Sequence, residues 1–131
     1  MTETNVRAID FRIFKQVNSL EANYPAGTEI LTPDDTSRMM YILKKGAVAV
    51  QVQNTTVEQI SEGGIFGEMG IVDRQPHSAR VVALTDVILC ALTEQQFLTL
   101  IGTTPTFALR VMRVLARRIR GMNSRLLAVA A

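Results

Sequence analysis

The sequence predicts a mainly β fold with flanking helices: an antiparallel β-barrel or jelly roll, with one helix before it and two after it. Short apolar and β-branched runs, each bounded by turn residues, recur between about residues 23 and 92. Outside that stretch, apolar residues recur instead at three- and four-residue spacing. The chain has 131 residues, 47% hydrophobic and 20% charged, which suits one domain whose core needs no disulfide or metal.

Val6, Ile9, Ile13 and Val17, with Phe14 beside them, predict an amphipathic helix over about residues 5–18. Tyr24-Pro25-Ala26-Gly27 reads as a turn. The predicted strands are Glu29–Leu31, Met39–Leu43, Ala47–Val52, Thr56–Ile60, Ala79–Leu84 and Val87–Cys90. Pro33-Asp34-Asp35, Lys45-Gly46, Gln53-Asn54, Gly63-Gly64 and Thr85-Asp86 punctuate them, and many short strands at such spacing favour a closed antiparallel architecture. After Leu92 the pattern returns to helix: Thr93–Ile101 stops at Gly102, then Thr104 offers an N-cap and Pro105 a first helical position. The last helix runs to about Leu127. A 100° projection places Ala108, Val111, Met112, Leu115, Ala116, Ile119, Met122 and Leu126 on one face and the arginines on the other. The expected organisation is a single domain over 1–131, with a helical part at 1–22, a barrel at 23–92 and helices at 93–131.

The single cysteine, Cys90, excludes an internal disulfide and fits a reducing compartment. No segment approaches the ~18 consecutive apolar residues of a spanning helix, and the polar N-terminus lacks a secretory pattern. A cytoplasmic location is therefore expected. One histidine and one cysteine, without ligands at metal spacing, support neither a metal site nor a catalytic dyad, so no enzyme is expected. The formal net charge is +2, yet residues 105–131 hold six arginines and no acid, leaving the first 104 residues at −4. That stripe reads either as a solvated helix face or as a surface for an acidic protein partner.

The segment Gly63 to Val82 carries the chemistry. A glycine-rich turn leads into Ile65-Phe66, then Gly67-Glu68-Met69-Gly70-Ile71, and later a strand. Glycines let a ligand approach the main chain, backbone N–H groups at a helix start attract anions, and an acid such as Glu68 accepts hydrogen bonds from sugar hydroxyls. Alone, a Gly-Gly turn between strands is usually only a turn.

Phe66-Gly67-Glu68-Met69-Gly70-Ile71 and Pro76-His77-Ser78-Ala79 resemble the two halves of the phosphate-binding cassette of cyclic-nucleotide-binding domains. Tyr24–Leu31 resembles the family's opening strand, and Met40-Tyr41-Ile42-Leu43 through Gly46-Ala47-Val48 resembles a second family element. The resemblance covers about residues 10–127. It implies a double-stranded β-helix barrel and a stand-alone sensor without a DNA-binding domain, signalling to a partner through the C-terminal helix. The ligand would be a cyclic nucleotide, cyclic AMP ahead of cyclic GMP, with no other cofactor. Phe66, Gly67, Met69 and Gly70 would line the phosphate and ribose, Glu68 would bind the ribose 2′-hydroxyl, and Ser78 and Ala79 would bond the phosphate. Met122 and Asn123 would meet the base, although Asn123 equally fits a fraying helix end after Gly121. A homodimer through the same helix, as in many relatives, is a further expectation. The initiating methionine favours a complete small protein. The alternative is a degenerate barrel with no nucleotide, acting as a protein-interaction module or regulatory subunit.

The sequence departs from the cassette at His77, where the family places an arginine. Arginine grips phosphate with a charged fork; histidine is mostly neutral at pH 7 and has one donor per ring nitrogen. Charge-assisted hydrogen bonds are worth roughly 1.5–3 kcal/mol, so the exchange costs about ten- to hundredfold in affinity. Three readings stay open: His77 protonates against the phosphate, a neighbouring Arg74 or (less well placed by strand alternation) Arg80 substitutes, or binding has been lost. If His77 carries the contact, affinity falls between about pH 6 and 8 as the imidazolium is lost, and His77→Arg tightens binding. Titrations that are flat across that range, with no gain in the variant, remove His77 from the site.

Overall fold

Among the described residues eight strands pair antiparallel throughout and form two four-stranded sheets that enclose a barrel interior. The computed structural model describes residues 10–72 and 79–130, with 122–130 in backbone only. In chain order the elements are α1 (Arg12–Lys15), β1 (Leu20–Tyr24), β2 (Glu29–Leu31), β3 (Met40–Lys45), β4 (Val48–Val52), β5 (Thr55–Ile60) and β6 (Ile65–Phe66). They continue with α2 (Met69–Val72), β7 (Arg80–Ala83), β8 (Val87–Leu92), α3 (Glu94–Thr103) and α4 (Pro105–Ala130). One sheet has the order β1-β8-β3-β6, the other β2-β7-β4-β5.

The two sheets differ in what covers them, and the sequence shows why. In β3, Leu43 packs into the barrel with Val48, Val81, Val87 and Leu89, while Met40 and Ile42 face the helices with Phe14, Leu92, Leu100 and Phe107. β8 splits the same way, Val87 and Leu89 inward and Cys90 towards the helices. A strand buried on both faces needs a continuous apolar run, as these two have. β4 and β5 belong to the other sheet, and their ends are exposed at Val52 and Thr55-Thr56.

Turn chemistry closes the barrel. Gln53 and Asn54 both have positive φ, 51° and 64°, the backbone of a two-residue hairpin between β4 and β5. At Gly46, with φ +93°, an added Cβ would strike Thr85, Asp86 and Val87, so the β3–β4 turn is packed against the β7–β8 turn.

Two strands lie outside the sequence expectation. Leu20–Tyr24 pairs with β8 from Leu20 opposite Ala91 to Tyr24 opposite Val87, but has no apolar run to announce it. Ile65–Phe66 forms a two-residue strand on Tyr41 and Ile42. The first helix among the described residues is α1, four residues long; Val6 and Ile9 lie outside them. α3 passes Gly102 and ends at Thr103, and its N-terminus is fixed by a reciprocal cap: the Gln96 N–H donates to Thr93 Oγ1, and the Thr93 N–H to Gln96 Oε1. Gln96 also donates to the Asn18 carbonyl at 3.1 Å, tying α3 to the segment before β1.

The projection of the last helix needs correction. α4 turns Phe107 and Val111 into the core, with Val114 and Leu115 partly buried beside them. Met112 and Ile119 are 61% and 58% exposed, and Leu109 and Ala116 are exposed with them. Phe107 decides this rotation by packing edge-on against Phe14 at 5.5 Å and against Phe97 at 6.1 Å. α4 thus has two apolar stripes on nearly opposite sides, and only one meets the body. Cys90 sits in the same helix-facing layer; burial pushes its thiol pKa up, and the nearby Glu21 adds to the effect.

Candidate ligand-binding site

The site begins where β6 ends. Phe66 stacks on Tyr41 inside the barrel, ring centroids 5.2 Å apart. Gly67 follows with φ +79°, and an added Cβ there would lie 2.8 Å from the Met39 carbonyl oxygen and 3.0 Å from the Tyr41 ring. Only glycine fits both the backbone angle and the space. The chain then winds into α2, whose hydrogen bonds start at the Gly70 N–H to the Gly67 carbonyl, 3.3 Å, and the Ile71 N–H to the Glu68 carbonyl, 3.0 Å. Gly70 and Ile71 are buried, whereas Met69 is exposed.

Glu68 is the buried charged residue among the described residues, 4% exposed. An isolated carboxylate there would be costly, so it requires a cation or several donors. The cation comes from α4. Arg118 Nη1 donates to Glu68 Oε1, Nη2 donates to the Ile65 carbonyl, and Nε donates to Glu58 of β5, 3.0 Å from Oε1 and 3.2 Å from Oε2. One guanidinium therefore joins the cassette, the edge strand β5 and the last helix.

This corrects the sequence projection a second time, because Arg118 is not part of a solvent-facing arginine stripe. Its position was readable in principle: Phe107, Val111, Val114 and Arg118 follow one another at helical spacing, so Arg118 lies on the core stripe. Arg113, Arg117 and Arg120 are exposed. Arg80 is held away, donating to Glu29 Oε2 and, at 3.4 Å, to Asn54 Oδ1.

Of the residues singled out from sequence, Phe66, Gly67, Glu68, Met69 and Gly70 form one continuous turn, and Ala79 is partly buried just before β7. Arg74, His77 and Ser78 lie outside the described residues, as do the side chains of Met122 and Asn123, whose backbone continues α4. Among the described residues no group of His, Cys, Asp and Glu could hold a metal ion, and no helix is long and apolar enough to cross a membrane. A separate cleft of about 330 Å³, lined by Asn23, Tyr24, Pro25, Lys45, Asp86, Val87 and Ile88, contains none of the cassette residues.

The barrel, the glycine turn after β6 and the buried carboxylate beside it are the frame in which the family resemblance can be checked. The cyclic nucleotide-binding domain family matches residues 21–104, and the chain belongs to that family. It is 33% identical over 102 residues to the cyclic AMP receptor protein of Thermus thermophilus, covering 74% of this chain and 47% of that one. It is 37% identical over 78 residues to the cAMP-dependent protein kinase regulatory subunit of Dictyostelium discoideum, 56% of this chain and 24% of the relative. The crystal structure of Thermus thermophilus catabolite activator protein superposes with a TM-score of 0.79 at 26% identity, over 94% of this chain and 61% of that one. The chain thus spans less than half the length of these curated relatives. The family match ends just before α4, so the helix that supplies Arg118 lies beyond it.

The cassette geometry predicts that Gly67→Ala lowers stability by more than about 1–2 kcal/mol, the cost of a left-handed backbone for a residue with a Cβ, because Met39 and Tyr41 block relaxation. Urea unfolding of the two chains measures it; equal midpoints would show that the turn relaxes freely.

Proposed function

We propose that the chain is a cytoplasmic sensor that binds a cyclic nucleotide, cyclic AMP ahead of cyclic GMP, and reports occupancy through α4 to a protein partner. It performs no reaction. The observation that carries this reading is the ion pair between Glu68 and Arg118, which makes the acid of the cassette and the output helix share one contact. The relatives named above as a cyclic AMP receptor and as cAMP-dependent kinase subunits support the choice of cyclic AMP.

In this mechanism the cyclic phosphate rests on the backbone N–H groups of the Gly67–Gly70 turn, helped by Ser78, Ala79 and His77, with Phe66 forming the floor. The ribose 2′-hydroxyl donates to Glu68. That hydroxyl competes with or reorients the Arg118 guanidinium, and the change passes to α4. Farther along the helix, Met122 and Asn123 close over the base. Because the ligand interacts differently with the two positions of α4, binding shifts their populations.

The outer stripe of α4 supports a second element of the reading, assembly of two copies. Leu109, Met112, Ala116 and Ile119 are exposed at alternating three- and four-residue spacing, the pattern of a coiled-coil seam. In the sequence, Asn123, Leu126 and Ala130 continue it. Arg113, Arg117 and Arg120 beside the seam would also suit an acidic partner. Ile119→Lys is expected to turn a dimer into a monomer in sedimentation velocity; a monomeric parent chain would leave the stripe to another protein.

Isothermal titration calorimetry with cyclic AMP and cyclic GMP tests the sensor reading. Saturable binding is expected, with Glu68→Ala weakening it by at least about fivefold, the loss of one charge-assisted hydrogen bond. No heat from folded protein at millimolar ligand would favour the interaction module without nucleotide.

A further inference from the structure

The contact that the cassette and α4 share has a third member. Glu58 lies on β5, the edge strand of its sheet, opposite Val50 of β4. Both of its carboxylate oxygens lie within 3.2 Å of Arg118 Nε. Its side chain is 35% exposed, against 22% for Arg118 and 5% for Glu68. The guanidinium therefore lies between one buried carboxylate and one wet one, and the three side chains together carry a net charge of −1.

A ligand with an anionic phosphate meets that excess charge. Glu68 and the Ile65 carbonyl also hold Arg118, so loss of the half-buried Glu58 is expected to cost the fold little. Arg80, the other guanidinium near the second half of the cassette, is occupied by Glu29 and Asn54. Arg118 is thus the cation the described cassette has at hand, and Glu58 holds it by the Nε edge.

We propose that Glu58 is a positioning residue that restrains Arg118 and sets the affinity of the site for an anionic ligand, acting as a brake on binding. The inference rests on the sensor reading above. At an intermediate effective dielectric, removing one nearby negative charge strengthens binding of a monoanion about three- to tenfold. It leaves a neutral nucleoside unaffected. The freed Nε edge of Arg118 adds to the same effect, because a guanidinium with an open N–H edge can turn towards phosphate oxygens.

Calorimetric titration of the parent chain and of Glu58→Gln with cyclic AMP, with adenosine as the neutral control, tests the proposal. The variant is expected to bind cyclic AMP about three- to tenfold tighter at low ionic strength, with the gain shrinking at about 0.5 M salt, and to bind adenosine no better than the parent. Glu58→Thr, which suits an edge strand, is expected to behave the same way and guards against misfolding of the first variant. Equal or weaker cyclic AMP binding by both variants, or an equal gain for adenosine, overturns the brake while leaving the sensor reading intact. Absence of cyclic AMP and cyclic GMP binding in every chain overturns the sensor reading and the brake together.

Discussion

A carboxylate taken out of water has to be compensated on the spot, and Glu68 is compensated by a residue fifty positions away in the chain. Removing Arg118 would leave the Glu68 carboxylate buried without its cation, which typically costs about 3–5 kcal/mol. That constraint orders much of the structure. It seats one turn of α4 against the end of β6, through the Ile65 carbonyl as well as Glu68. It also helps fix the helix rotation begun by Phe107, so that Leu109, Met112, Ala116 and Ile119 are turned to solvent. The packing of the glycine turn against α4 and the outward apolar stripe are two consequences of a single orientation.

The sheet β1-β8-β3-β6 is the mechanical middle of the molecule. Its inner side shares the barrel core with the other sheet, and its outer side carries α1, α3 and α4. Tyr41 and Ile42 of β3 are the partners of Phe66 and Ile65, so the strand that carries the two cores also supports the start of the cassette. Packing on both faces leaves β3 little room to shift without disturbing helices and barrel together.

The fold class and the cassette turn were legible in the sequence because both depend on local rules. Short apolar runs bounded by turn residues, a two-residue turn at Gln53-Asn54 and glycine at a positive-φ corner are written in adjacent residues. β1 was not legible: Leu20-Glu21-Ala22-Asn23 is an edge strand, exposed at several positions and held by its pairing with β8, and no apolar run records that pairing. The rotation of α4 was not legible either. A helix with apolar residues on two sides does not say which side is inner; a phenylalanine cluster and a distant carboxylate decide it. Arg118 was grouped with its neighbours in sequence, although its spacing from Phe107 and Val111 marks it as a core-stripe position.

Cys90 gives this layered arrangement a built-in clock. Its thiol lies between the central sheet and the helices, with burial pushing its pKa up. A reagent that needs the exposed thiolate can reach it only during moments when that layer parts. The rate at which Cys90 is modified therefore reports openings of the layer that covers it, whether the edge strand β1 or the helices give way.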